Sequence, residues 1–230
     1  MKNIAIVLAG GVGNRMGLSM PKQFIPVAGK MVLEYSVAAF ERHVRIDEIA
    51  IVSHYSYTTE IENIIKRNTW NKIKKILPGG QERYYSSLAA IKAYADQEAN
   101  LIFHDAARPL VSQRIISDVT TALCKYKAVD VALPSTDTLI EVNGDFIASI
   151  PDRSRFRRSQ TPQAFHIETI QKAYNIAMHD PAFTATDDCG VIMKYLPGTP
   201  IYIVPGEEAN MKLTYKEDIA LIEAFLRRVL

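Results

Sequence analysis

Short apolar runs rich in β-branched residues alternate along this chain with longer stretches in which apolar positions recur every three or four residues. The short runs at 4–8, 48–53, 74–78, 101–104, 129–134 and 201–205 predict strands, since buried parallel strands read as near-continuous apolar segments. The stretches at 32–41, 58–68, 86–94, 112–126, 167–178, 187–195 and 214–230 predict helices. Leu33, Val37 and Phe40 share one face of the first, and Ile61, Ile64 and Ile65 one face of the second. Thr186 or Asp187 and Thr214 can each accept a hydrogen bond from a first-turn amide, giving the last two helices their starts. Such alternation predicts an α/β chain with a doubly wound, mostly parallel, Rossmann-like sheet covered on both faces.

One stretch breaks the pattern. Between Thr138 and Ile150 two alternating runs flank Asn143-Gly144, the strongest short hairpin signal, because both residues tolerate positive φ. Leu139, Ile140, Val142, Phe146 and Ile147 carry more apolar surface than an isolated hairpin can hide in water. The expectation is a single domain over 1–230 with a β-arm projecting over 136–158.

With 230 residues and 48% hydrophobic content the chain can bury one substantial core. A net charge of +2 offers no electrostatic grip on a nucleic-acid duplex, so any anion site must be local. Cys124 and Cys189 form no metal-spaced pair and fit a reducing compartment. No apolar run approaches membrane-spanning length, and the first residues enter a strand without a basic flank or cleavage site; a cytoplasmic protein with no membrane or nucleic-acid partner is expected.

The first strand runs into Ala9-Gly10-Gly11-Val12-Gly13-Asn14-Arg15-Met16-Gly17, followed by Pro21-Lys22-Gln23. A loop with few side chains brings its backbone N–H groups close to an anion, and Arg15 and Lys22 add positive charge. Walker A spacing is absent, and Met16 stands where a dinucleotide fingerprint needs its third glycine. What the loop resembles, with both cations in register, is the cytidylyltransferase family that includes the enzymes for 2-C-methyl-D-erythritol 4-phosphate and ribitol 5-phosphate.

Later motifs extend the resemblance from Leu8 to Thr214. His104-Asp105-Ala106-Ala107-Arg108-Pro109 ends a central strand, where doubly wound sheets place ligands. Asp105 suits Mg2+, which takes few protein carboxylates and relies on phosphates and water; His104 reads as structural support rather than as a base. Pro78-Gly79-Gly80-Gln81-Glu82-Arg83 forms a second glycine turn before a helix, with Arg83 open between anchoring the turn and a role in the site. Gln160-Thr161-Pro162-Gln163, Thr184-Ala185-Thr186-Asp187-Asp188 and Asn210-Met211-Lys212-Leu213-Thr214 complete the matches.

The resemblance implies a nucleotidyltransferase sheet and transfer of CMP from CTP to a polyol phosphate, releasing pyrophosphate. It implies Arg15, Lys22 and Lys212 as catalytic cations around the α-phosphate. Nucleotide contacts would come from Leu8, Ala9, Gly10, Gly11, Gly13, Gly80, Gln81, Ser86, Asp105 and Ala106. Acceptor contacts would come from Arg108, Thr161, Thr186 and an Arg153 that reaches across a homodimer formed by the arm, while Arg155, Arg157 and Arg158 stay solvated or at the dimer rim. Leu8-Ala9-Gly10-Gly11, with Gln160-Thr161-Pro162-Gln163 and Thr186-Asp187-Asp188-Cys189, points toward ribitol 5-phosphate; 2-C-methyl-D-erythritol 4-phosphate is the alternative acceptor. A catalytically silent nucleotide-binding domain is a remote third reading, disfavoured by the presence of Arg15, Lys22, Asp105 and Lys212.

Overall fold

A computed structural model describes residues 1–11, 20–80 and 82–229. Twelve strands occur among them: β1 (Lys2–Ala9), β2 (Pro26–Val27), β3 (Lys30–Met31), β4 (Glu48–Ser53), β5 (Ile73–Pro78), β6 (Ala99–Asp105), β7 (Ala128–Pro134), β8 (Glu141–Asn143), β9 (Phe146–Ser149), β10 (Arg157–Ser159), β11 (Gln163–His166) and β12 (Tyr202–Pro205). The helices among them are α1 (Val32–Arg42), α2 (Thr58–Asn68), α3 (Arg83–Ala93), α4 (Gln113–Ala122), α5 (Ile167–Ala177), α6 (Asp188–Tyr195) and α7 (Asp218–Val229).

The main sheet has eight strands in the order β10-β7-β11-β6-β1-β4-β5, with β12 beside β7. β6, β1, β4 and β5 run parallel, as do β7 and β12. β1 shows why both faces must be covered. Ala5, Val7 and Ala9 enter one core with Leu33, Phe40, Ile61 and Ile115, and Ile4, Ile6 and Leu8 enter a second with Ile91, Ile170 and Ile192. Helices α1, α2 and α4 therefore shield one face and α3, α5 and α6 the other. A third cluster seats Ile222 and Leu226 of α7 on Val27, Val32 and Leu213.

Three local features differ from the sequence-based expectation. β11 lies antiparallel between β6 and β7. Only Ala164 and Phe165 are apolar there, too short a run to read as a strand, but Phe165 is fully buried and packs 6.1 Å from Phe103, ring centroid to ring centroid. Thr214 does not cap α7; its amide and that of Tyr215 donate to the Asp218 carboxylate at 2.7 and 2.8 Å, and the helix starts at Asp218. α4 stops at Ala122, short of Tyr126. Asp187 does cap α6, accepting from the Gly190 amide at 2.8 Å.

The arm forms a two-stranded sheet of its own, β8 with β9, every residue of which is exposed. Its central turn residues are Gly144 and Asp145, not Asn143 and Gly144: Asn143 pairs with Phe146, and only Gly144 has positive φ, at 60°. Glycine first and a negative φ second is the pattern of a II′ turn, whose twist suits the hairpin as well as the expected I′ turn would.

Candidate active site

Sheet register gathers the strand ends. Leu8 pairs with Asp105, Ala9 with Ser53, and Ser53 with Pro78, so both glycine turns and the His104–Pro109 loop leave the sheet side by side. The Ala9 carbonyl accepts from Gln23 Nε2 at 2.5 Å and from Ser53 Oγ at 3.3 Å, and the Gly79 amide donates to the Ser53 carbonyl at 2.7 Å. Ser86, 4% exposed, stands between the turns. A β-carbon would lie 3.1 Å from its Oγ if placed on Gly10 and 3.0 Å if placed on Gly79. At Gly80 a β-carbon would meet Tyr85 Cβ at 2.3 Å, so this backbone is kept bare by the ring beside it. Gly11 is exposed and Lys22 opens a 3-10 turn over Lys22–Phe24. Gly13, Arg15 and Gln81, expected in the site, lie outside the described residues.

Asp105 is the centre of charge. Its Oδ2 accepts from Lys212 Nζ at 2.6 Å, and Arg83 Nε stands 3.6 Å from Oδ1. Burial alone would raise this carboxyl, yet Arg83, Lys212 and Arg108 together hold it well below the usual carboxylate range. Ala106 donates its amide to the Leu8 carbonyl at 3.0 Å, and Ala107 accepts from the Leu213 amide at 2.8 Å, which draws the segment bearing Lys212 against the loop. Arg108 donates through Nη1 to the Asn210 carbonyl at 2.8 Å, while its buried Nε has no partner among the described residues; burial lowers its pKa.

His104 is structural, as expected. It is fully buried, contacts the Arg108 carbonyl through Nε2 at 3.0 Å and the Thr161 hydroxyl through Nδ1 at 3.0 Å, and burial pulls it down to about 4. Thr161, expected among the acceptor contacts, is 5% exposed, and its hydroxyl also accepts from the Asp105 amide at 3.1 Å. Its O–H and one lone pair are thus used inside the protein, which ties it to the Asp105 loop and leaves one acceptor lone pair. Asn210 Nδ2 fixes Thr161 in turn, donating to its carbonyl at 2.8 Å.

Thr186 is exposed just before α6. Below it, Gln163 Nε2 donates to Asp187 Oδ2 at 2.8 Å and to Asp130 Oδ1 at 3.1 Å, and burial pushes Asp130 up to about 6. Arg153 is on the exposed arm, donating to the Thr136 carbonyl at 2.9 Å; within one chain it does not join the Asp105 cluster among the described residues. Of the remaining arginines, Arg158 is exposed and ion-paired with Glu208.

Arg83 is the residue whose weight the sequence concealed. Besides facing Asp105, it donates through Nη1 to Asp188 Oδ2 at 2.6 Å, and Asp188 and Asp105 hold its pKa above the ordinary value against the effect of burial. Asp188, fully buried, also accepts from Tyr174 Oη at 2.7 Å. A glycine turn before a helix was the only local signal for Arg83, and Asp188 had none beyond its place after a cap.

Among the described residues no three His, Cys, Asp or Glu side chains are grouped to hold a metal. A single carboxylate whose Oδ1 lies beyond hydrogen-bond distance of Arg83 fits an ion carried mainly by substrate phosphates.

Residues 3–228 match the family model described as 2-C-methyl-D-erythritol 4-phosphate cytidylyltransferase. The chain belongs to that family. A 2-C-methyl-D-erythritol 4-phosphate cytidylyltransferase of Thermobifida fusca is 48% identical over 97% of this chain and 92% of its own length. The bifunctional ribulose 5-phosphate reductase/CDP-ribitol pyrophosphorylase of Haemophilus influenzae is 46% identical over 96% of this chain, which spans 48% of that protein. In structure, the 4-diphosphocytidyl-2C-methyl-D-erythritol synthase of Anaerococcus prevotii superposes with a TM-score of 0.87 at 30% identity, covering 98% of this chain and 96% of that one.

Membership makes this cytidylyltransferase-family chain an enzyme, a CTP-dependent nucleotidyltransferase acting on a polyol phosphate, and sets aside the silent-domain reading. The comparisons back the alternative acceptor better than the expected one: the family model and relatives at 48% and 39% identity are named for methylerythritol phosphate, against one at 46% named for CDP-ribitol, and a preference for ribitol 5-phosphate is not favoured. No helix among the described residues is long and apolar enough to cross a membrane.

Proposed function

We propose that this enzyme transfers the cytidylyl group of CTP to 2-C-methyl-D-erythritol 4-phosphate, giving a CDP-polyol and pyrophosphate. The observation that carries this reading is the Lys212–Asp105 pair, 2.6 Å apart at the rim where both glycine turns leave the sheet. In this reading the pyrimidine and ribose lie along Leu8, Ala9, Gly10, Gly11, Gly80, Ser86 and Ala106, with Gly13 and Gln81 contributing from the two turns. Arg108, Thr161 and Thr186, with Arg153 of the partner subunit, hold the acceptor.

An oxygen of the acceptor's phosphate attacks the α-phosphorus of CTP. The new P–O bond forms as the bond to the β-phosphate oxygen breaks, and the electron pair leaves with pyrophosphate. The attacking phosphate is already ionised at neutral pH, so no base has to remove a proton. Catalysis then consists of alignment and neutralisation of the charge that builds at the pentacoordinate centre, the task of Arg15, Lys22 and Lys212. Asp105 would hold Mg2+, which when bound neutralises triphosphate charge.

Exposed Ile140, Val142, Phe146, Ile147 and Ile150 on one arm support a homodimer, whose expected setting is the cytoplasm. The ribitol acceptor draws support from the Haemophilus influenzae relative. Pyrophosphate release from CTP and Mg2+ with each acceptor separately decides between them: faster release with methylerythritol phosphate is expected, and faster release with ribitol 5-phosphate overturns the choice. UTP and GTP, run in parallel, test the base preference.

A further inference from the structure

Arg83 makes two ionic contacts in two directions. Nη1 reaches Asp188 in the first turn of α6, two residues past Thr186, and Nε faces Asp105 on the opposite side. Asp188 needs no further help to stay in place: Tyr174 donates to its Oδ1 at 2.7 Å, and its amide donates to Gln163 Oε1 at 3.0 Å. The guanidinium's third nitrogen, Nη2, is buried without a partner among the described residues.

The surroundings of Arg83 tie together two parts of the site that the chain supplies separately. It is the first residue of α3, three positions past Gly80 in the second glycine turn. Its neighbour Tyr84 packs edge-on against Phe183, at 4.9 Å between ring centroids, and Phe183 precedes the Thr184–Asp187 loop. Charge points the same way. Arg83, Arg108 and Lys212 face Asp105 and Asp188, so three cations surround two carboxylates. Arg83 answers Asp188 with one edge and shares Asp105 with the other, which leaves Lys212 positive charge to direct at a phosphate. A lysine at 83, with one compact ammonium in place of a planar fork, can serve one carboxylate but not both.

We infer that Arg83 is a positioning residue of the transfer reaction: its guanidinium fixes the Asp105 carboxylate against Lys212 and sets the nucleotide turn in register with the acceptor loop through Asp188. It touches no substrate. Its effect is on the angle and distance at which the acceptor meets the α-phosphate, and misplacement on that scale affects turnover more than binding.

The inference rests on the cytidylyl-transfer reading, and the two are separated by measuring variants against the wild type with whichever acceptor supports turnover. Pyrophosphate release by the wild type tests the reaction, and the ratio of variant to wild type tests Arg83. Removing Arg83 alone would strand Asp188 as a buried charge, so the informative variant is R83M together with D188N, which removes one charge of each sign. The expected result is a melting temperature close to wild type, a CTP Kd within about threefold, and a kcat lower by about tenfold or more. A kcat within about twofold of wild type at unchanged melting temperature overturns the inference. Should the double variant fail to fold, R83K decides: reduced kcat with retained CTP affinity supports the role, and wild-type kcat overturns it.

Discussion

The Thr161 hydroxyl bridges His104 Nδ1, at 3.0 Å, and the backbone amide of Asp105, at 3.1 Å. The direction of every proton in this chain follows. The Arg108 carbonyl can only accept, so His104 Nε2 carries the proton that donates to it at 3.0 Å. A neutral ring then accepts at Nδ1 from the Thr161 O–H, and the oxygen of Thr161 receives the Asp105 N–H. The carboxylate and the arginine of the loop are thereby set by one histidine that does no chemistry.

Replacing Thr161 by valine keeps the volume but leaves the Asp105 amide and His104 Nδ1 buried without a partner. The expected loss is about 1–3 kcal/mol of stability, the cost of an unsatisfied buried group, together with a lower kcat. Denaturant midpoints and steady-state rates check it; unchanged stability would show that the relay contributes nothing.

Lys212 pairs with Asp105, and Lys22 and Arg15 follow the first glycine loop. K22A, R15A and K212M should each lose roughly two or more powers of ten in kcat, the scale of deleting one donor to transition-state charge. Near-normal turnover in purified K22A and R15A would contradict their assignment.

Asp130 is expected to make stability respond to pH. Burial raises its folded-state pKa to about 6, above its value in an unfolded chain, so the folded state binds that proton more tightly. Its ionised form therefore costs stability above pH 6, and the cost fades as pH falls from 6 toward 4. D130N should melt roughly 2–4 °C higher than wild type at pH 7.5, with the gap closing at pH 4.5. A gap of the same size at both pH values would remove the ionisation from the explanation.

Gly80 has no room for a side chain, since its β-carbon would fall 2.3 Å from Tyr85 Cβ. G80A should push Tyr85 aside and deform the turn, raising the KM for CTP by about tenfold while the acceptor KM changes little. Competition with other nucleoside triphosphates would reveal whether base selectivity falls with it.

Phe146 is 79% exposed and Ile147 60% exposed on the arm. If these residues meet a second copy, F146D with I147D should convert a dimer to a monomer in light scattering after gel filtration, with the melting curve of the main sheet retained. A wild-type protein that elutes as a monomer would remove the arm from the assembly.

The alternation of apolar runs was enough to place the parallel strands because β1, β4 and β6 are buried on both faces, while β5 and β12, though less buried, keep short β-branched apolar runs that composition reports directly. It could not reveal β11, where Phe165 contributes one large side chain and the pairing with β6 and β7 is decided by distant strands. Sequence motifs likewise placed Asp105 and Lys212 in one site although 107 positions separate them. The grip of Arg83 on Asp188, across 105 positions, has no local signature, since an arginine in the first turn of a helix and an aspartate after a cap are each ordinary on their own. Buried polar networks are assembled by the fold, and a linear pattern carries no trace of which donor will meet which acceptor.

The amide of Leu213 bonds the carbonyl of Ala107, so the ammonium beside it arrives at the pocket only when the far end of the polypeptide returns to the centre of the sheet. Strands β1 to β11 all precede residue 200, so most of the sheet is laid down in sequence before the lysine that pairs with Asp105 is reached. Return of one late segment therefore completes the charge cluster around Asp105, and a deletion between 206 and 213 would remove Lys212 while leaving those strands intact.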